Sequence, residues 1–197
     1  MAADGDAAAG LLERLAPDAA AGLRGIATAP IALVCLGWSD ATARPIGIDL
    51  RSYGFLVARG ENIRLLGCQY ETSIFPGRGP ESGVLLRAIL GGTGDGFEPD
   101  IVDEPDERIV ARALEDLHAA ADLRRDRAPD MVKVWRPRTG IPQPRPGHRR
   151  RVAEIDAALG KRPGLHLLGH AVRGVGVNES IKAATALVAR LGPTGNS

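Results

Sequence analysis

The chain has 197 residues and a formal net charge of +1. That is room for one domain or two small ones, and it gives no global electrostatic case for binding nucleic acid. No apolar run reaches the roughly 18–20 residues of a membrane span. The start, Met1-Ala2-Ala3-Asp4-Gly5-Asp6, lacks the basic region and apolar core of a signal peptide, so the reading is a cytoplasmic protein with peripheral membrane contact left open.

Ala7 to Leu15 has the pattern of a short helix with Asp6 as its N-cap. Pro17 ends it and opens a second helical turn through Leu23. Ile31 to Trp38 is a continuous apolar run, closed by Pro30 on one side and Ser39-Asp40 on the other, which predicts a buried strand. Tyr53 to Ala58, Ile63 to Tyr70 and Val84 to Leu90 read as further strands. Turns at Arg59-Gly60-Glu61-Asn62 and from Pro76 to Gly83 join them, so an antiparallel meander is expected. Gly91 to Pro105 is a loop. Asp106 to Arg125 has helical spacing, with Ile109, Val110, Ala113, Leu114 and Leu117 on one face. Met131 to Trp135 is a short strand, Arg136 to Gly147 is irregular, and Arg149 to Leu159 is a helix. The apolar run Leu165 to Leu168 then feeds a glycine-rich turn, Gly169 to Ile181, and a helix from Lys182 to Leu191. Cys35 and Cys68 lie in apolar strand-like runs and read as buried free thiols.

Acid–base and metal chemistry leave little trace. His118, His148, His166 and His170 show no metal-ligand spacing, so no metal site is expected. No Gly-x-Ser-x-Gly elbow is present, and Ser180 suits capping or packing. Gly91 to Gly96 lacks the Lys-Ser/Thr of a phosphate loop. Every charged residue from Lys133 to Arg151 is basic, which reads as a solvated rim balancing the acidic stretch Asp95 to Glu107, with an acidic lipid or polyanion as the alternative. The final turn remains the best ligand candidate. A helix N-terminus after glycines presents free N–H groups to a flat or anionic group.

A series of blocks then occurs in order: Tyr53-Gly54-Phe55-Leu56-Val57-Ala58-Arg59, Leu66-Gly67-Cys68, Ser73-Ile74-Phe75-Pro76-Gly77-Arg78, and Leu85 to Gly92. Ile141-Pro142-Gln143, Gly147-His148, Gly164-Leu165 and Gly169 to Ile181 complete it. From about Asp6 to Leu191 the chain resembles the C-terminal part of the FAD-dependent protoporphyrinogen and coproporphyrinogen oxidases, within the flavin amine-oxidase superfamily. The resemblance implies oxidation of a porphyrinogen to a porphyrin in haem biosynthesis, with dioxygen as acceptor and hydrogen peroxide as product. FAD would carry the redox chemistry, and no catalytic side chain is assigned.

The same resemblance implies that Val175, Gly176 and Val177 meet FAD at the final turn and that Trp135 is a flavin-proximal aromatic. Tyr53, Gly54 and Ile89 would line the porphyrinogen pocket, with ordinary strand packing as their alternative reading. The implied class is α+β: residues 1–130 form a substrate-binding-type region with an antiparallel sheet and helices. Residues 131–197 form the C-terminal segment of an incomplete FAD-binding domain, ending in strand, glycine turn and helix. The chain departs from the pattern at Pro144, Val172 and Glu179-Ser180, and the family's N-terminal Gly-x-Gly-x-x-Gly unit has no match here. An N-terminal FAD-binding polypeptide is therefore an expected partner, and apolar faces made to pack on its sheet should be exposed. The alternatives are a catalytically incomplete fragment, a tetrapyrrole-binding module without flavin, and an unrelated α+β binding domain.

Overall fold

A computed structural model describes residues 3–41, 44–58, 60–94 and 97–192. Met1 and Ala2, Arg59 of the expected turn, Asp95 and Gly96 of the expected loop, and the tail after Gly192 lie outside the described residues. The elements run α1 (Gly5–Leu12), α2 (Pro17–Arg24), β1 (Thr28–Ala29), β2 (Ile31–Trp38), β3 (Gly54–Leu56), β4 (Gly67–Tyr70), α3 (Glu71–Ile74) and β5 (Val84–Gly91). A 3-10 turn (Pro99–Asp103) follows, then α4 (Asp106–Ala121), β6 (Met131–Trp135), β7 (Ile141–Pro142), α5 (His148–Gly160), α6 (His170–Arg173) and α7 (Val177–Leu191). The class is α+β. The compact units are Ala29–Gly140 and, discontinuously, Met1–Thr28 with Ile141–Ser197. They cut the chain differently from a division at 130/131: β6 lies in the unit of the large sheet, while α1 and α2 lie with the C-terminal helices.

In the Ala29–Gly140 unit, a five-stranded antiparallel sheet has the order β3-β4-β5-β2-β6. It is not a plain meander. The long apolar β2, first of the five in the chain, lies between β5 and β6 and pairs antiparallel with both. Alternation along β2 and β5 sends Ala32, Val34, Leu36 and Trp38, with Leu86, Ala88 and Leu90, to one face. Ile109, Ala113 and Leu117 of α4 and Ile101 of the 3-10 turn join these side chains in one core. Asp122, at φ 56°, stops α4 at Ala121, four residues short of the expected end. Two buried acids pin this unit. Asp116 of α4 accepts hydrogen bonds from the backbone N–H of Arg64 (2.7 Å) and Leu65 (2.9 Å), and from the Arg64 guanidinium at 3.1 Å. Glu71 is held by Arg78 at 2.5 Å and Arg87 at 2.8 Å.

In the other unit, small side chains let helices approach closely. Ala8, Ala9 and Leu12 of α1, Ala19, Ala20 and Leu23 of α2, and Ile155 and Leu159 of α5 are buried together. Asp4, not Asp6, caps α1, its carboxylate accepting from the N–H of Ala7 at 2.9 Å. Two expectations at the C-terminus change. Leu165 to Leu168 is no strand and shows only an isolated bridge at Leu168, because an extended segment becomes a strand only where a neighbour supplies its ladder. The turn also contains the short helix α6, and α7 begins at Val177, not Lys182. Ser180 thus sits within the first turn of α7, its N–H bonded to Gly176 O, and the N-cap is Gly176. Val177, Ile181, Val188 and Leu191 form an exposed apolar stripe along α7.

Candidate functional site

The face of the five-stranded sheet opposite α4 stays half-exposed. Its side chains fall into rows fixed by register. One row reads Leu56, Gly67, Ile89, Leu33, Trp135; the next reads Gly54, Gln69, Arg87, Cys35, Lys133; a third holds Leu85, Gly37 and Met131. The result is a half-exposed, largely apolar floor crossed by a polar stripe. Such a surface suits a broad planar ligand with polar edges.

Three residues singled out from the sequence share this face. Ile89 is flanked by Gly67 and Leu33, Trp135 lies one strand beyond Leu33, and Gly54 opens the polar stripe. Tyr53 precedes β3; its side chain is exposed, and its carbonyl accepts from the Tyr70 N–H at 3.0 Å. Gly54 also has a backbone reason to be glycine. Its φ is 128°, and a Cβ there would overlap the Cys68 carbonyl oxygen. Arg87, Lys133 and Gln69 were not singled out as site residues. The available signal was one arginine in the otherwise apolar alternation of β5, but only strand pairing sets Lys133 in its row.

Electrostatics along the stripe are organised by the buried Glu71. Its ion pair with Arg87, and the bond from Arg87 Nε to Gln69 Oε1 at 3.0 Å, hold the guanidinium in place. Beside it, burial raises the Cys35 thiol, against the opposing pull of Arg87. Cys35 is half-buried, not fully buried as expected, whereas Cys68 is buried and its thiol is pushed up to about 12 by desolvation. Both thiols are free. Between its ordinary value of 9.0 and about 12, Cys68 keeps its proton in the folded chain and loses it when unfolded. The unfolded state then binds fewer protons, so stability falls as pH rises through that window. The melting temperature is expected to drop more steeply above pH 9 in the wild type than in Cys68→Ala; parallel curves would exclude this thiol as the cause.

The expected ion balance is also visible. Arg136 pairs with Asp106, and Arg138 with Asp103 at 2.5 Å, so part of the basic run is neutralised by the acidic stretch. Among the described residues, no group of three or more His, Cys, Asp or Glu could hold a metal ion.

Val175, Gly176 and Val177 come together at the N-terminus of α7, where Val175 and Val177 are exposed and no side chain caps the helix by a hydrogen bond. The Glu179 side chain lies in the space that a Cβ on Gly174 or Gly176 would fill. In the same unit, a cavity of about 560 Å³ lies between the 159–168 segment and α7, with Arg162, Arg173 and Arg190 on its lining. Arg173 is engaged by Asp156 at 2.5 Å.

No family model matches the chain. It is 31% identical over 183 residues to coproporphyrinogen III oxidase of Bacillus subtilis, an alignment spanning 92% of this chain and 37% of that protein. Against protoporphyrinogen oxidase 1, chloroplastic, of Spinacia oleracea, the identity is 31% over 184 residues, spanning 90% of this chain and 32% of the relative. The chain belongs to the protoporphyrinogen/coproporphyrinogen oxidase family. It spans about a third of the length of these curated relatives. Its fold is also that of a crystal structure from Exiguobacterium sp. 255-15 assigned as a protoporphyrinogen oxidase, with TM-score 0.71 and 24% identity, covering 93% of this chain and 39% of that one. Reduced UDP-galactopyranose mutase shares the fold more distantly, with TM-score 0.61 and 10% identity over 86% of this chain and 36% of that one.

The α7 N-terminus fits the flavin that this porphyrinogen oxidase family implies, for one edge of the ring. Backbone N–H groups and the positive end of a helix of 15 residues stand open beside two exposed valines, a match for an acceptor-bearing edge on an apolar plane. The Glu179 carboxylate competes for the same positive end. Trp135, assigned by resemblance to the flavin, belongs to the other compact unit.

Proposed function

We propose that the chain is the substrate-binding and FAD-closing portion of a porphyrinogen oxidase, acting in the conversion of porphyrinogen to porphyrin in haem biosynthesis. The observation that carries this reading is the shared open face of Gly54, Ile89 and Trp135, a broad floor for a flat tetrapyrrole. Val175, Gly176 and Val177 would hold the pyrimidine edge of FAD through backbone N–H groups at the helix end, favouring negative charge there. When bound, FAD supplies the oxidising chemistry, with dioxygen as final acceptor and hydrogen peroxide as product. The residues of this chain bind, orient and shield; none is assigned a proton transfer.

The dinucleotide-binding half of the flavin site lies outside these 197 residues, in the same or another polypeptide. The exposed stripe of Val177, Ile181, Val188 and Leu191 supports a covering partner of that kind. Among the described residues no helix is long and apolar enough to cross a membrane.

The chain incubated with FAD is expected to emerge from desalting without a shifted flavin band and to leave coproporphyrinogen unoxidised. Adding a polypeptide with the Gly-x-Gly-x-x-Gly unit should restore both. Retained flavin on the chain alone would remove the need for a partner, and failure to restore either would overturn the enzymatic reading. Glu179 over the α7 N-terminus favours a second reading, a tetrapyrrole-binding module without flavin, for which tetrapyrrole would bind and flavin would not, with or without the partner.

A further inference from the structure

Resting on the tetrapyrrole reading of the sheet face, we propose that Arg87 and Lys133 select the more carboxylated of the two tetrapyrrole substrates. Register places both in the stripe Gln69, Arg87, Cys35, Lys133, two strand spacings apart, about 10 Å. That separation is on the scale of one macrocycle. No acidic side chain occupies this row or the rows on either side of it. Glu71 follows Tyr70 directly at the end of β4, next to the row of Leu85, but it is buried and offsets only part of the charge because it is shared between Arg78 and Arg87.

The two cations differ in kind. Arg87 is fixed by Gln69 and Glu71 while a third of its side chain stays exposed (34%), so donors are presented to a carboxylate with little ordering left to do. Lys133 is exposed on the edge strand and reaches toward solvent with a flexible stem. The flanking rows, with Ile89, Leu33 and Trp135 on one side and Leu85 and Met131 on the other, offer apolar contact that does not discriminate between the two macrocycles. Coproporphyrinogen carries propionates where protoporphyrinogen carries vinyl groups. Two separated cations on one floor therefore favour the former through its additional acid arms. Arg87 and Lys133 are specificity-determining contacts, while Ile89 and Leu33 serve either substrate.

The test uses the full chain and the stable oxidised probes coproporphyrin III and protoporphyrin IX, titrated by fluorescence. The wild type is expected to bind coproporphyrin about tenfold more tightly, and added salt should narrow the gap. Lys133→Gln should weaken coproporphyrin about threefold and Lys133→Glu about tenfold, with protoporphyrin nearly unchanged. Lys133 is exposed, so neither variant threatens the fold. Ile89→Ala should weaken both probes alike. Equal affinity for the two probes, with Lys133 variants indistinguishable from wild type, would overturn the selectivity and leave the tetrapyrrole reading standing. Binding of neither probe would overturn both.

Discussion

Asp116→Ala is expected to lower the stability of the Ala29–Gly140 unit by about 3 kcal/mol, a drop of about 10 °C in melting temperature. Asp116 is 3% exposed and serves three donors on the Ile63–Leu65 approach to β4. One oxygen, Oδ2, accepts both backbone N–H groups, while Oδ1 faces the Arg64 guanidinium. Truncation leaves the Leu65 N–H buried without an acceptor, which outweighs the loss of the ion pair because Arg64 keeps Glu115 at 2.7 Å. Asp116→Asn separates the two contributions. Its amide oxygen can take the Oδ2 position, so the backbone bonds survive and the cost should be about 1 kcal/mol. Thermal or denaturant unfolding of both variants checks this. Equal losses would show that the ion pair, not the backbone bonds, carries the effect.

Gly54→Ala is the second large effect, again about 3 kcal/mol. At φ 128° an L-residue is strained, and the added methyl would be driven into the Cys68 carbonyl in the β3–β4 ladder. Gly67, on the partner strand, faces the same crowding, since a Cβ there would overlap the Phe55 carbonyl oxygen. Ile89→Ala makes the informative contrast. Ile89 is half-buried on the open face, so its truncation should cost about 1 kcal/mol while still weakening tetrapyrrole binding. If Gly54→Ala unfolds no more readily than Ile89→Ala, the glycine is there for the ligand and not for the backbone. Differential scanning fluorimetry beside a tetrapyrrole titration separates the cases.

Much of this was legible in the residues. The alternation of Val84 to Leu90 and the apolar run Ile31 to Trp38 specified strands and their buried faces, because side chains alternate at a period of two. The apolar spacing of α4 specified its core stripe. Other features depended on neighbours. Ile63 to Leu66 has strand-like content yet precedes β4, since Asp116 takes the Arg64 and Leu65 N–H groups that a ladder would use. Leu165 to Leu168 has the composition of a buried strand yet finds only an isolated bridge.

The sequence by itself determined the α+β class, the α4 core stripe, the glycine-rich entry to a C-terminal helix, and a family resemblance spread over blocks in order. Apart from the resemblance, which rests on the matched blocks, these follow from local rules of periodicity, capping and backbone permissiveness that act within a few residues. The tertiary structure decided which strands became neighbours, and hence that Arg87, Cys35 and Lys133 form one stripe on the floor carrying Ile89 and Trp135. It also decided that α7 opens at Val177 and that α1 and α2 join the C-terminal helices. Those outcomes depend on pairing partners far apart in the chain, and strand register, set by burying one whole face of a sheet, is a property of the assembled layer and not of any single strand.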